Sequence, residues 1–145
     1  MKIGIVSDHR GYELKTKIIN RIKNINFIDY GTNSKDSVDY PDYAFKLGEK
    51  INKNEVDLGI AICGSGIGMS IALNKVKGIR CARVTTIKDV IITKKDNNSN
   101  AIAFSSDINF NKVKRMIEEF VNTECSNEER HKKRINKIME YELKK

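Results

Sequence analysis

Leu58-Gly59-Ile60-Ala61-Ile62 runs straight into Cys63-Gly64-Ser65-Gly66-Ile67-Gly68, and a helical stretch over 69–75 follows. A short apolar run, a glycine-rich hexapeptide and a helix start read as strand, tight loop, helix. Glycines at alternate positions let the chain turn without Cβ clashes and leave amide N–H groups pointing above the helix N-terminus, which is an anion cradle. Cys63 stands at the strand end beside those amides and the positive end of a helix dipole, where a thiolate is favoured and can serve as a base. The same residues also fit a small buried apolar cysteine followed by a plain turn. The dinucleotide fingerprint G-x-G-x-x-G does not fit, because Met69 occupies the place of its last glycine.

The pattern repeats on both sides of this loop. Residues 2–7 form an apolar β-branched run ending at Ser7-Asp8-His9-Arg10-Gly11, and 12–24 carry Leu14, Ile18, Ile19 and Ile22 at helical spacing. A second strand falls at 27–30 and a polar, turn-rich segment at 33–39; Tyr40-Pro41 then opens a helix over 42–52, and 56–62 is the third strand. Beyond the loop, strands at 79–84 and 100–104 flank a short helical segment at 86–94, and 109–122 turn Val113, Ile117, Phe120 and Val121 inward. Strands alternating with helices at this pitch predict a three-layer α/β/α, Rossmann-like domain on a five-stranded parallel sheet. Ligands of such sheets bind outside the carboxyl ends of the strands, where Asp8 and Cys63 both fall.

The 145 residues fit a single domain spanning 1–145. Apolar content of 39% is gathered into short blocks, which argues for folding despite 32% charged residues. No apolar run approaches membrane-spanning length, and Met1 to Val6 is too short and too soon followed by charge for a signal peptide, so the expected location is cytoplasmic. Cys63, Cys81 and Cys125 lack C-x-x-C spacing and the two histidines are scattered, so reduced thiols, no metal and no cofactor are expected. The formal net charge of +8 is spread over most helices, without a basic stripe interleaved with aromatics, which argues against nucleic acid as a partner.

The tail, 126–145, reads as an extra polar helix. Ser126 and Glu129 have capping-box spacing, and Ile135, Ile138, Met139 and Leu143 make a narrow apolar stripe. The stripe fits packing on its own sheet layers or, over about 126–143, on another subunit; the pattern alone leaves both open.

Taken together, Ser7-Asp8-His9, Asp39-Tyr40-Pro41, the 63–68 loop, Asn74-Lys75, Gly78-Ile79-Arg80, Asn97, and Arg130-His131 with Arg134 resemble, nearly end to end, the type B ribose-5-phosphate isomerases and their relatives acting on allose and galactose 6-phosphates. The resemblance implies an aldose-ketose isomerase that interconverts ribose 5-phosphate and ribulose 5-phosphate without metal or cofactor. It further implies a homodimer or dimer of dimers with active sites between subunits. Cys63 matches the family's base, the Gly64, Gly66, Ile67 and Gly68 stretch its oxyanion cradle, and Ser65 a position usually held by Thr. Asp8 matches a contact to sugar hydroxyls, Tyr40 a pocket wall, and His9 with Arg130 and Arg134 the phosphate set. Members without the cysteine place a glutamate where Met69 stands, so this chain resembles the cysteine type.

Two positions depart from the pattern. Asp96 replaces the histidine that commonly precedes Asn97 and is credited with opening the sugar ring; it replaces that histidine's role, leaves opening to solvent, or signals another sugar. Asp107 stands where an arginine is common, and Arg10, next to His9, is the candidate that offsets the lost cation. These departures keep a hexose 6-phosphate isomerase, and a non-catalytic sugar-phosphate-binding module, as alternatives.

Overall fold

The computed structural model describes residues 1–144. Five strands, β1 (Lys2–Ser7), β2 (Asn26–Asp29), β3 (Leu58–Cys63), β4 (Cys81–Arg83) and β5 (Ala101–Ser105), form one parallel sheet in the order β2-β1-β3-β5-β4. Six helices connect and cover it: α1 (Tyr12–Arg21), α2 (Tyr40–Asn52), α3 (Ile67–Leu73), α4 (Ile87–Asn97), α5 (Phe110–Asn122) and α6 (Glu129–Leu143). The expected α/β/α class and its extra C-terminal helix are found.

Alternate residues of each central strand feed two cores, as the period-two geometry of a strand requires. Ile3, Ile5, Ile60, Ile62, Ile102 and Phe104 pack with Leu14 and Ile18 of α1, Val90 of α4 and Val113, Ile117 and Phe120 of α5. On the opposite face Val6, Ala61, Cys63, Ala101 and Ala103 pack with Ala44 and Leu47 of α2 and Met69, Ala72 and Leu73 of α3. The small side chains on this second face let α2 and α3 lie close. β3 is buried from end to end, which is why it reads as an unbroken apolar run.

The sheet order reverses between β1 and β3, whose chains leave toward opposite edges. That switch point opens a crevice above adjacent strand ends. In register, Ser7 lies beside Ile62 and Cys63 beside Ser105, so Asp8 and the glycine loop emerge side by side.

Several boundaries differ from the sequence reading. α3 begins at Ile67 rather than 69, because the left-handed conformation of Gly66 (φ +79°) turns the chain straight into helix. α4 extends to Asn97, three residues past the expected end, and is entered by a capping box of Thr86 and Asp89. The box expected at Ser126 and Glu129 does not form: α6 has Glu128 at its N-cap with no side-chain cap, and the Ser126 hydroxyl pairs with His131 instead. Of the tail's apolar stripe only Ile135 is buried, while Ile138, Met139 and Leu143 face outward. Lys145, the last residue of that stretch, lies outside the described residues.

Candidate active site

Asp8, Arg10, Tyr40, Cys63, Gly64, Ser65, Ile67, Gly68 and Ile71 line a cleft of about 630 Å³ at the switch point. Cys63 lies at its floor, 3% exposed, and its Sγ accepts the Gly66 N–H at 3.2 Å. The loop is clamped from three sides: Ser105 Oγ donates to the Gly64 carbonyl at 2.7 Å, Ser106 N to the Cys63 carbonyl at 2.9 Å, and Arg83 Nε to the Ser65 carbonyl at 3.0 Å. None of these clamps was anticipated, although the pairing of β3 with β5 brings Ser105 beside Cys63.

The cradle is narrower than the sequence suggested. The Gly66 amide is taken by the thiol, and the Ile67 amide donates to Ser65 Oγ at 3.1 Å. Both are bonds within the loop, and they pre-set its shape at the cost of two donors.

Asp8 is nearly buried, and its Oδ1 accepts the amides of Arg10 and Gly11, each at 3.0 Å. This fixes the carboxylate at the first turn of α1 and leaves Oδ2 for a ligand hydroxyl. His9 Nδ1 accepts the Val38 amide at 3.2 Å, so in the neutral ring Nε2 carries the hydrogen and is the nitrogen able to donate to an anion. Tyr40 crosses the loop so closely that a Cβ on Gly68 would stand 2.5 Å from its Cζ. The Arg10 guanidinium lies over Gly64 in the same way, 2.5 Å from where a Cβ would be. Arg10 also lines an adjoining cleft of about 470 Å³ together with Asp107.

The remaining expected site residues are elsewhere. α4 starts near the carboxyl ends of the strands and runs back along the sheet for 11 residues, which carries its last residues about 16 Å away from the Cys63 end. Asp96 and Asn97 therefore sit at the amino ends of the strands, where Arg80 Nε and Nη2 donate to the carbonyls of Asn97 and Asn98. Asn97 lines a separate hollow there, with Arg80, Ile138 and Tyr141. Arg130 and Arg134 are exposed on the first turns of α6, one helical turn apart, and Arg130 Nε bonds Glu128 at 2.7 Å. A single chain thus does not bring Asp96, Asn97, Arg130 and Arg134 to Cys63, Ser65, Asp8, His9, Arg10 and Tyr40. The two groups lie at opposite ends of one sheet.

His131, quoted in the sequence only as part of a motif, lies between Ser126 and Asp96. Its side chain is 11% exposed, with Nδ1 2.6 Å from Ser126 Oγ and Nε2 3.5 Å from Asp96 Oδ1.

Among the described residues no group of three or more His, Cys, Asp or Glu side chains is placed to hold a metal ion. No helix among them is long and apolar enough to cross a membrane.

Residues 3–138 match the family model described as Ribose/Galactose Isomerase. A putative sugar phosphate isomerase of Bacillus subtilis is 42% identical over 147 residues, covering 99% of each chain. Among solved structures, ribose-5-phosphate isomerase B of Clostridium thermocellum superposes with a TM-score of 0.94 at 39% identity, covering 99% of each chain. Ribose-5-phosphate isomerase B of Mycoplasma genitalium, solved with bound ribulose-5-phosphate, does so with a TM-score of 0.91 at 36% identity, covering 99% of this chain and 97% of that one.

Proposed function

The chain belongs to the ribose/galactose isomerase family, and from that membership we propose that it interconverts ribose 5-phosphate and ribulose 5-phosphate at sites each shared by two copies of the chain. The observation that carries the reading is the division of the matching residues between two ends of one sheet. A two-fold dimer that sets one chain's Cys63 end against the other's α4–α6 end completes both sites at once. The exposed apolar side chains Ile67 and Ile71 beside the cleft, and Ile138 and Met139 on α6, are the surfaces such an assembly would cover.

The chemistry follows from the groups in the cleft. With the sugar open, Cys63 Sγ takes the C2 hydrogen as a proton, and the electron pair of that bond moves through C1 to the carbonyl oxygen, giving an enediolate. Returning the proton to C1, with transfer of the O2 hydrogen to O1, yields the ketose. Ser65 Oγ is the hydroxyl placed to pass a proton between the two oxygens, and the free loop amides stabilise the developing charge. Asp8 Oδ2 accepts a sugar hydroxyl and the Tyr40 ring walls the pocket. His9 Nε2, Arg10, and Arg130 and Arg134 of the partner subunit hold the phosphate, the two arginines as a fork of charge-assisted donors. Asp96 of the partner subunit supplies the ring-opening carboxylate beside Asn97.

The test is conversion of ribose 5-phosphate in the presence of chelator, with two variants. Cys63→Ala lowers turnover by about 10² to 10⁴ while sparing binding, and Arg134→Ala raises KM. Co-refolding Cys63→Ala with a doubly inactive Arg130→Ala/Arg134→Ala chain leaves one intact site in each mixed dimer. Activity then returns to about a quarter of the parent's, since half of the dimers are mixed and each has one working site of two. No regain in mixed dimers refutes the shared site. A parent that converts allose 6-phosphate and not ribose 5-phosphate moves the substrate to a hexose phosphate.

A further inference from the structure

Ribose 5-phosphate in solution is a furanose, closed between C1 and O4. No C2 proton is acidic until that ring opens, so whatever opens it works before Cys63. On this chain the position beside Asn97 is a carboxylate, and a lone carboxylate on a helix end has two free torsions and water on every side. Asp96 is not in that condition: its side chain is 45% exposed, and one oxygen is backed by a nearly buried imidazole.

We infer that His131 is a positioning residue for ring opening, holding one oxygen of Asp96 so that the other is presented to the sugar. This rests on the isomerase reading above and deepens it. An ionised Asp96 can only accept, so the hydrogen of the neutral ring is on Nε2, facing Oδ1 at 3.5 Å. Nδ1 is then an acceptor, and Ser126 Oγ–H donates to it at 2.6 Å. The short outer bond holds the ring plane. The longer inner contact is within a small carboxylate rotation of hydrogen-bond length, and such contacts tighten when substrate arrives. Ser126 is itself anchored, its amide donating to the Lys95 carbonyl at 3.0 Å, one residue before Asp96. The start of α6 and the end of α4 are thereby tied at two points. This is also why Ser126 does not cap α6.

The step balances on the carboxylate alone. Oδ2 of Asp96 takes the proton of the C1 hydroxyl; the O1 electron pair forms the C1 carbonyl; the C1–O4 bond breaks; and O4 takes the proton back from Oδ2. O1 and O4 share one carbon, so a single held oxygen serves both, and His131 gains and loses nothing.

His131→Leu removes the donor, and His131→Gln restores one in nearly the same place. The measurements are turnover of ribose 5-phosphate by the full chain, the isotope effect with deuterium at C2, and the melting temperature. The expected result is a loss of roughly tenfold for His131→Leu, with the isotope effect suppressed toward unity because ring opening has become limiting, and recovery of both in His131→Gln. Ser126→Ala gives a smaller loss in the same direction. Unchanged turnover in His131→Leu, or a loss with an isotope effect equal to or above the parent's, overturns the inference. A parent without ribose 5-phosphate conversion overturns the isomerase reading instead, and that is seen before any variant is made.

Discussion

Replacing Gly66 by alanine strikes the fold and the chemistry at one atom. Gly66 has φ +79°, and a Cβ there would stand 2.7 Å from Phe104 Cα, 2.8 Å from its carbonyl carbon and 3.0 Å from its nitrogen. Those are backbone atoms in the middle of the sheet, and no side-chain rotation relieves the contact. The left-handed conformation costs a non-glycine residue about 1 to 2 kcal/mol, and forcing β3 and β5 to yield costs a further 1 to 3 kcal/mol or so. A total near 3 kcal/mol lowers the melting temperature of a domain of this size by roughly 10 °C. The amide that moves is the one donating to Cys63 Sγ, so turnover falls about tenfold or more in the fraction that remains folded. Gly64→Ala is the control. There the crowding atoms belong to the Arg10 guanidinium, the far end of a flexible side chain, so stability changes by less than about 1 kcal/mol and KM rises as Arg10 is pushed aside. Thermal melts followed by circular dichroism, with steady-state rates on the same samples, check both. A Gly66→Ala chain that melts within two or three degrees of the parent and turns over normally, on roughly the scale one kcal/mol would move it, refutes the account of the loop.

Lys15 is fully buried, its Nζ 2.6 Å from Asp29 Oδ1 and 2.6 Å from the Thr32 carbonyl, so Lys15→Met costs about 1 to 3 kcal/mol, read as a lower denaturant midpoint with unchanged slope. The Thr85 backbone amide above all, with the hydroxyls of Thr85 and Thr86, holds the Asp89 carboxylate below its usual range, so its contribution is complete above the unfolded value of 3.8 and is lost as pH falls through the lower folded value. Asp89→Asn is therefore less stable than the parent at pH 7, and the two melting curves converge in acid; a gap that persists under acid conditions refutes this. Arg10→Ala raises the KM for ribose 5-phosphate about tenfold at an unchanged melting temperature, and an unaltered KM removes Arg10 from the phosphate set.

The parts of the fold legible in the sequence were those in which burial and periodicity agree. β3 is buried at every position and α5 turns Val113, Ile117 and Phe120 into the core, so both read correctly to within a residue or two. Capping was misread for a physical reason. Ser126-x-x-Glu129 and Thr86-x-x-Asp89 share a spacing, and only the second forms a box, because Ser126 finds a buried imidazole and Thr86 finds none. The site divides in the same way. Asp8 and Cys63 fall on adjacent strand ends by topology alone, whereas resemblance names Asp96, Asn97, Arg130 and Arg134 without placing them. A helix following a parallel strand runs back along the sheet, so the last residues of α4 were bound to lie at the far end. His131 carried no visible signal of its contacts, since Ser126 and Asp96 are side chains whose directions only the packed structure shows.

Both departing positions carry a carboxylate, one lining a cleft with Arg10 and the other beside His131. Asp107 puts a negative charge where an arginine is common, yet it lines the adjoining cleft with Arg10, whose guanidinium reaches across to Gly64 in the cleft of Cys63. Both side chains are open to solvent, where exposed charges are screened, so Asp107 leaves the Arg10 guanidinium available to an anion. In the proposed site the cation comes from the start of α1 instead of the end of β5, on the Asp8 side of the cleft. Asp96 lies with Oδ1 3.5 Å from Nε2 of His131, on the first turn of α6. A phosphate arriving at that end would meet Arg134 exposed and would have to compete with Glu128 for Arg130. In the proposed site the ring-opening carboxylate ends α4 and the phosphate arginines open α6, with His131 of α6 beside Asp96.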